Sequence, residues 1–266
     1  MHPVLFRIGP LAIRSYGMML ALSFLVGVYL AMYRGKKVGI APNQLMDLTV
    51  YIAVAAIVGA RLFYVFPHWE EFSGHLTDIF NPFQGGQIGI GGLTLYGGFI
   101  LAVGVSMWYL RRHRMPVWKV GDALAPSIAL GIFLTRIGCF LNGCCFGEPS
   151  HVPWALAFPP ESAAGYTFPD TPIHPTQLYS SLYGLVIFGA LLLLERFKRF
   201  DGFTFWVFVL LYSVARFAVD FVRYYEPSMT LLTVGGTSFS VNQGISVGLF
   251  ILAWGMLFLL RRRAES

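Results

Sequence analysis

The sequence predicts an all-α membrane protein with seven transmembrane helices, and three observations predict it. Hydrophobic residues make up 56% of the 266-residue chain and charged residues only 12%, about half the charge of a soluble domain. The apolar residues gather in runs of about 20, the length a helix needs to cross roughly 30 Å of hydrocarbon. The basic residues form short clusters at the ends of these runs. In a soluble protein the net charge of +6 would suggest a nucleic-acid partner. Here the charge marks topology: the lipid bilayer is the expected partner and nucleic acid is not.

The expected spans are Tyr16–Tyr33, Asp47–Phe66, Gly89–Leu110, Gly121–Leu141, Gln177–Leu194, Gly202–Val222 and Val241–Leu260. Arg34–Lys37, Arg111–Arg114 with Lys119, Arg196–Arg199 and Arg261–Arg263 follow spans one, three, five and seven. The segments Pro67–Gln87, Asn142–Thr176 and Tyr224–Ser240 contain no Lys or Arg. The positive-inside rule then places the N-terminus outside and the C-terminus in the cytoplasm. The first run reads as a span and not a cleavable signal, because it ends in Arg34, Lys36 and Lys37 without a small-residue cleavage pattern. Residues 1–266 read as one integral membrane domain. Its outer loop region is 142–176, within which Glu148–Pro175 is too polar to span and too long for a simple turn, a length typical of functional or mobile loops. Cys139, Cys144 and Cys145 are odd in number and lack zinc-site spacing. They are expected to be small buried side chains, with no disulfide framework, no metal and no cofactor.

Arg61, Arg136 and Arg216 fall inside or near the outer ends of spans two, four and six, where each costs about 2.5–3.5 kcal/mol at a helix centre and less near an end. Tyr212, Arg216 and Asp220 are spaced i, i+4, i+8 and share a face, so Asp220 is a ready partner for Arg216. Asp122 cannot serve Arg136, because 14 residues correspond to about 21 Å of helical rise. Asp47 and Asp122 open their spans, where the helix dipole accounts for them. Intramembrane cations therefore outnumber acids. A bound anion would balance them, and the flat arginine fork suits phosphate.

The glycine-rich stretch Gly85–Gly98 lacks a nucleotide-loop spacing. It reads as close helix contact or a broken helix start, with Tyr96, Gly97 and Gly98 a turn or two inside span three. Arg136–Gly147 ends span four, and Asn142 with the nearby glycines fits a helix C-cap. His174 precedes span five as a helix-start residue facing water, and Pro175 suits the first turn.

Taken in order, Ile13–Gly17, Gly59–Arg61, Tyr96–Gly98, Arg136–Gly147, His174–Tyr179 and Tyr212–Arg216 resemble bacterial prolipoprotein diacylglyceryl transferases nearly end to end. The resemblance implies a multi-pass protein of the bacterial inner membrane. It implies transfer of the diacylglyceryl group of phosphatidylglycerol to the lipobox cysteine of a preprolipoprotein, forming a thioether and releasing glycerol phosphate. It also implies catalytic roles for Arg136, Arg216 and Tyr96, and substrate binding by Tyr16, Arg61, Gly97, Gly98, Asn142, Gly147 and Tyr212. The acceptor thiol must lose its proton and the departing phosphate must be held by preorganised cations; neither a metal nor a covalent enzyme intermediate is required. The chain departs from the family pattern at Tyr96, where histidine is usual, and at Cys139 and Cys144, where asparagine and glutamate are usual. An organic-anion transporter would also use buried arginines, but it predicts repeated halves, and the sequence has no internal repeat. A paralogue acting on another lipid or acceptor is the third reading, a membrane scaffold the fourth.

Overall fold

A computed structural model describes residues 4–8, 11–72, 74, 94–226, 229–234 and 237–265. The main helices are α1 (Ser15–Lys37), α2 (Pro42–Val65), α4 (Leu95–Arg112), α5 (Val117–Asn142), α7 (Thr176–Leu194), α8 (Phe203–Val219) and α9 (Val241–Glu265). Two short helices, α3 (Trp69–Phe72) and α6 (Ala163–Thr167), lie in connections, and single 3-10 turns continue α7 over Glu195–Phe197 and α8 over Asp220–Val222. Among the described residues six helices (α1, α2, α5, α7, α8 and α9) are long and apolar enough to cross a membrane. Leu25, Tyr29, Val186, Leu193, Ile251 and Trp254 on these helices are all exposed. Large apolar side chains displayed this densely suit lipid and not water. The chain is a multi-pass membrane protein.

The third expected span differs. Residues 89–93 and the loop residues 75–87 lie outside the described residues, and Thr94 is extended, so α4 starts at Leu95. It is 18 residues long, ends in Arg111 and Arg112, and is not among the six. Tyr96, Gly97 and Gly98 therefore occupy its first turn instead of lying deeper. Two antiparallel hairpins were also not expected: β1 (Val4–Ile8) with β2 (Leu11–Arg14), and β3 (Thr230–Val234) with β4 (Thr237–Ser240). Strands of four and five residues are too short for their period to distinguish them from helix or loop.

The chain groups into two compact units, Met1–Arg34 with Gly121–Ser266, and Gly35–Val120. In the second unit α2 and α4 meet backbone to backbone. A Cβ on Gly59 would lie 2.5 Å from the Gly97 carbonyl oxygen, and one on Gly97 would lie 2.5 Å from that of Gly59. Only glycine allows this approach. The start of α4 is tied to α2 by Thr94, whose N–H and hydroxyl both donate to the Ala60 oxygen, at 3.0 and 3.1 Å.

The core of the first unit joins Ala125 and Ala129 of α5, Ile187 and Leu191 of α7, and Val207 and Phe208 of α8. Hydroxyls join the helices where small residues let them close. Ser23 of α1 donates to the Gly131 oxygen of α5 (3.1 Å) and Ser181 of α7 to the Phe133 oxygen (2.9 Å). Asp122 corrects the sequence reading. α5 begins at Val117, so Asp122 does not open its own helix. Its carboxylate accepts the backbone N–H groups of Gly202 (2.8 Å) and Phe205 (2.9 Å) at the start of α8 and pairs with Lys198 at 2.9 Å. The dipole argument holds, but for α8. Asp47 likewise lies within α2, which starts at Pro42.

The loop region between α5 and α7 is packed. Phe146, Phe158, Ala164 and Ile173 form a small core, with Phe140, Phe168 and Tyr224 against it. Single bridges tie Gly147 to Arg223, and both Pro149 and Leu156 to Ile173.

Candidate functional site

The site in the first unit is built on the last turn of α5. Gly143 adopts φ +70°, its N–H donates to the Phe140 oxygen (3.1 Å), and the Cys144 N–H donates to the Cys139 oxygen (3.1 Å). This pair of bonds is a Schellman closure with glycine in the left-handed position, which sequence placed at Asn142 and its glycines. The chain then turns at Cys145, which has φ +61°. It is fixed by α7, where the Thr176 hydroxyl donates to the Cys145 oxygen and the Gln177 amide to the Cys144 oxygen, both at 2.9 Å. Gly147 is sandwiched: a Cβ there would come within 2.6 Å of both the His174 side chain and the Val222 carbonyl oxygen. Its backbone N–H donates to the His174 oxygen at 3.1 Å. Gly147 thus fastens the loop to the ends of α7 and α8.

Arg136 lies one turn before this closure and is half-buried. Among the described residues no acid forms an ion pair with it. The ionisable groups that act on it are Tyr183, Cys145, Cys139 and Tyr212. Tyr16 belongs to the same neighbourhood, acted on by the three cysteines and by Arg136. α1 brings it there by crossing α5 at Gly138, where a Cβ would lie 2.9 Å from that of Met19.

Arg216 is set differently. Asp220 lies 2.9 Å from its guanidinium, both groups are buried, and the i, i+4 spacing predicted this pair. Arg216 also donates to the Tyr225 hydroxyl, which donates in turn to Asp220 at 3.0 Å. The Ser240 hydroxyl donates to the other Asp220 oxygen at 3.3 Å. Ser240 and Gln243 form a reciprocal capping box that starts α9 (2.9 and 3.1 Å). Tyr225 lies outside the spans, and burial pushes its phenol up to about 12 against the opposing charges of Arg223 and Arg216. It therefore remains a hydrogen-bond donor.

Near these arginines α7 presents a polar line, of which Tyr183 is acted on by both. Gln177 Oε1 is buried without a hydrogen-bond partner, and buried Ser180 Oγ and Tyr183 Oη have only each other within reach, at i, i+3 and i+6 along the helix. Tyr183 is acted on by Tyr212, Arg136 and Arg216, and its ring meets that of Tyr212 edge-on at 6.1 Å. Orphaned buried polar atoms are rare in folded proteins and mark a polar occupant. An apolar cavity of about 370 Å³, lined by residues that include Ser213, Phe217, Phe221 and Phe250, opens between α8 and α9. Ser213 and Phe217 flank Arg216 in sequence.

The remaining candidates lie in the second unit. Arg61 is buried, with the Tyr64 and Phe72 rings 5.6 and 5.0 Å from its guanidinium carbon. Tyr96 is half-exposed on α4, while Gly97 and Gly98 are buried against α2.

A family model described as prolipoprotein diacylglyceryl transferase matches residues 3–259. The chain belongs to the prolipoprotein diacylglyceryl transferase family. Relatives named phosphatidylglycerol–prolipoprotein diacylglyceryl transferase include one from Trichormus variabilis, 33% identical over 95% of this chain and 89% of the relative. Another, from Solidesulfovibrio magneticus, is 34% identical over 99% of this chain and 95% of the relative. A third, from Nostoc, is 33% identical over 95% and 88%. This family member is a transferase.

Sequence reasoning missed Tyr183, Ser180, Tyr225 and Arg223. The first two were signalled by polar residues at helical spacing along an otherwise apolar span. Arg223 fell between the end of span six and the loop assigned from Tyr224. Its guanidinium carbon lies 5.5 Å from the Tyr225 ring centre. His174 does not simply face water: its Nδ1 lies 3.1 Å from the Tyr179 hydroxyl, which also accepts from Trp154 at 2.6 Å.

Proposed function

We propose that Arg136 is the principal grip on the phosphate of phosphatidylglycerol while this transferase moves the diacylglyceryl group to prolipoprotein. The observation that carries the reading is the contrast in charge pairing. Arg136 has no acidic partner among the described residues, and the buried Tyr183 hydroxyl near it is answered by Ser180 at most. Arg216, already neutralised by Asp220, is the second cation and sets the far wall with Tyr212. An acyl chain fits the apolar cavity beyond it. Tyr16, Asn142 and Gly147 hold the headgroup end, and Arg61, Tyr96, Gly97 and Gly98 are assigned to catalysis or substrate on the family resemblance alone.

In this reading the acceptor is the lipobox cysteine thiol of a preprolipoprotein. Its sulfur attacks the glycerol carbon, the S–C bond forms, the C–O bond to phosphate breaks and the thiol proton leaves to a base. Glycerol phosphate departs with its charge held by guanidinium groups already in place, the economical way to stabilise a developing anion. The chain lies in the bacterial inner membrane as seven spans with an outer N-terminus and a cytoplasmic C-terminus. Residues 1–266 act as one domain, with 142–176 on the outer side.

The experiment is purified protein with phosphatidylglycerol and a lipobox peptide, following glycerol phosphate. Release is expected, and Arg136→Ala should lower turnover about 10²–10³-fold. No release from the native protein, or native turnover in Arg136→Ala, contradicts the reading. Tyr96→Phe should abolish turnover and Tyr96→His retain it if Tyr96 is the base; undiminished turnover in Tyr96→Phe removes it from that role.

A further inference from the structure

Cys139 is buried, as expected from sequence, while Cys144 and Cys145 are half-buried, and the three lie together. All three are free thiols, and their Sγ atoms lie within 4.8 Å of one another. Adjacent residues 144 and 145 would ordinarily diverge. The Schellman closure returns Cys144 to the last turn of α5, where its thiol lies 3.8 Å from the Cys139 oxygen. The positive φ of Cys145, which a β-substituted residue adopts only under constraint, accompanies the turn that brings the third thiol to the same place. Thr176 and Gln177 then hold both cysteine carbonyls, so the arrangement is preorganised.

We propose that these three thiols form a soft-metal site that takes one Cu(I) ion. A metal–thiolate bond of about 2.3 Å puts the sulfurs of a trigonal site roughly 4.0 Å apart, within the observed limit. The group contains no histidine or carboxylate among the described residues. An all-sulfur set selects soft ions over magnesium, calcium or manganese. With only three protein ligands it suits three-coordinate Cu(I) better than zinc, whose structural sites take four. The surroundings favour charge separation of this kind. Three thiolates and one Cu(I) carry a net charge of −2, and Arg136 and Arg223, which act on Cys145, compensate it. Each thiol releases its proton to solvent on binding, so affinity should weaken as pH falls. No electron is transferred, because the ion enters as Cu(I).

The test uses the full-length protein in detergent, reduced and anaerobic, titrated with Cu(I) against a competing Cu(I) chelator. One ion per chain should be retained, and X-ray absorption should show sulfur alone at about 2.3 Å. Cys144→Ser should weaken binding by more than the roughly 10–100-fold that loss of an outer-shell partner costs. Cys145→Gly, which keeps the backbone unstrained at φ +61°, should do the same where Cys144→Ser fails to fold. Copper stripped from the native protein as readily as from these variants, or a coordination shell without sulfur, overturns the site. Neither outcome bears on phosphate binding, because no lipid or acceptor is present.

Discussion

The ends of α5 and α8 each carry an intramembrane arginine, and they solve the problem of a buried charge in opposite ways. At the end of α8 the charges are paired: Asp220 meets Arg216, Tyr225 bridges them, and Ser240 closes the far side of the carboxylate while capping α9. At the end of α5, Arg136 faces tyrosines and thiols with no acid among the described residues, and Tyr183 of α7 beside it has Ser180 at most as a partner. A buried pair resists perturbation only while both members remain. A cation without an acid holds its position for something that arrives. On the proposed reading, the difference separates a residue that shapes the site from one that grips the substrate.

The comparison breaks most visibly at Asp220. Removing one member of a buried pair strands the other, so Asp220→Ala should cost about 3–5 kcal/mol of stability, read as lower resistance to thermal unfolding in detergent. Unchanged stability would mean that Arg216 is as free as Arg136. Tyr225→Phe, which keeps the ring and deletes the bridge between Arg216 and Asp220, should cost about 1–3 kcal/mol. A smaller loss than in the Ser240→Ala variant would locate the bridge elsewhere. The mildest effect is expected at the other end of α8. Burial lowers the Lys198 pKa, but the hydrogen bond and charge of Asp122, then those of Asp201, more than offset it and raise the value overall. A raised pKa contributes stability that is complete below the unfolded value and is lost as pH climbs through the folded one. The native protein should therefore hold its Tm to about pH 10 and fall above it more steeply than Lys198→Met. Parallel curves would show that the Lys198–Asp122 pair is inert.

Much of this contrast is legible in the sequence, because it rests on spacing along a helix. Arg216 and Asp220 declare their pairing at i, i+4, and the distance from Asp122 to Arg136 rules out the only acid in that span. Where chain reversal decides the outcome, sequence fails. Nothing in the order Cys139, Cys144, Cys145 states that a left-handed glycine at 143 and a left-handed cysteine at 145 fold three thiols together. Asp122 misled for a related reason: the helix start it stabilises belongs to α8, about 80 residues further on. The polar line Gln177, Ser180, Tyr183 was readable but passed for ordinary span composition, since its significance lies in facing Arg136 and Arg216. The substitution of Tyr96 for the usual histidine was plain in the sequence, and α4 places it at a helix start, half-exposed.

The most direct test of the phosphate grip is the affinity of the protein for glycerol phosphate, the leaving group, with no lipid or acceptor present. Arg136→Ala should weaken binding about 10-fold or more, the worth of one or two charge-assisted hydrogen bonds, while its thermal unfolding stays native. Equal affinity in the native protein and in Arg136→Ala would contradict Arg136 as the residue that holds the phosphate.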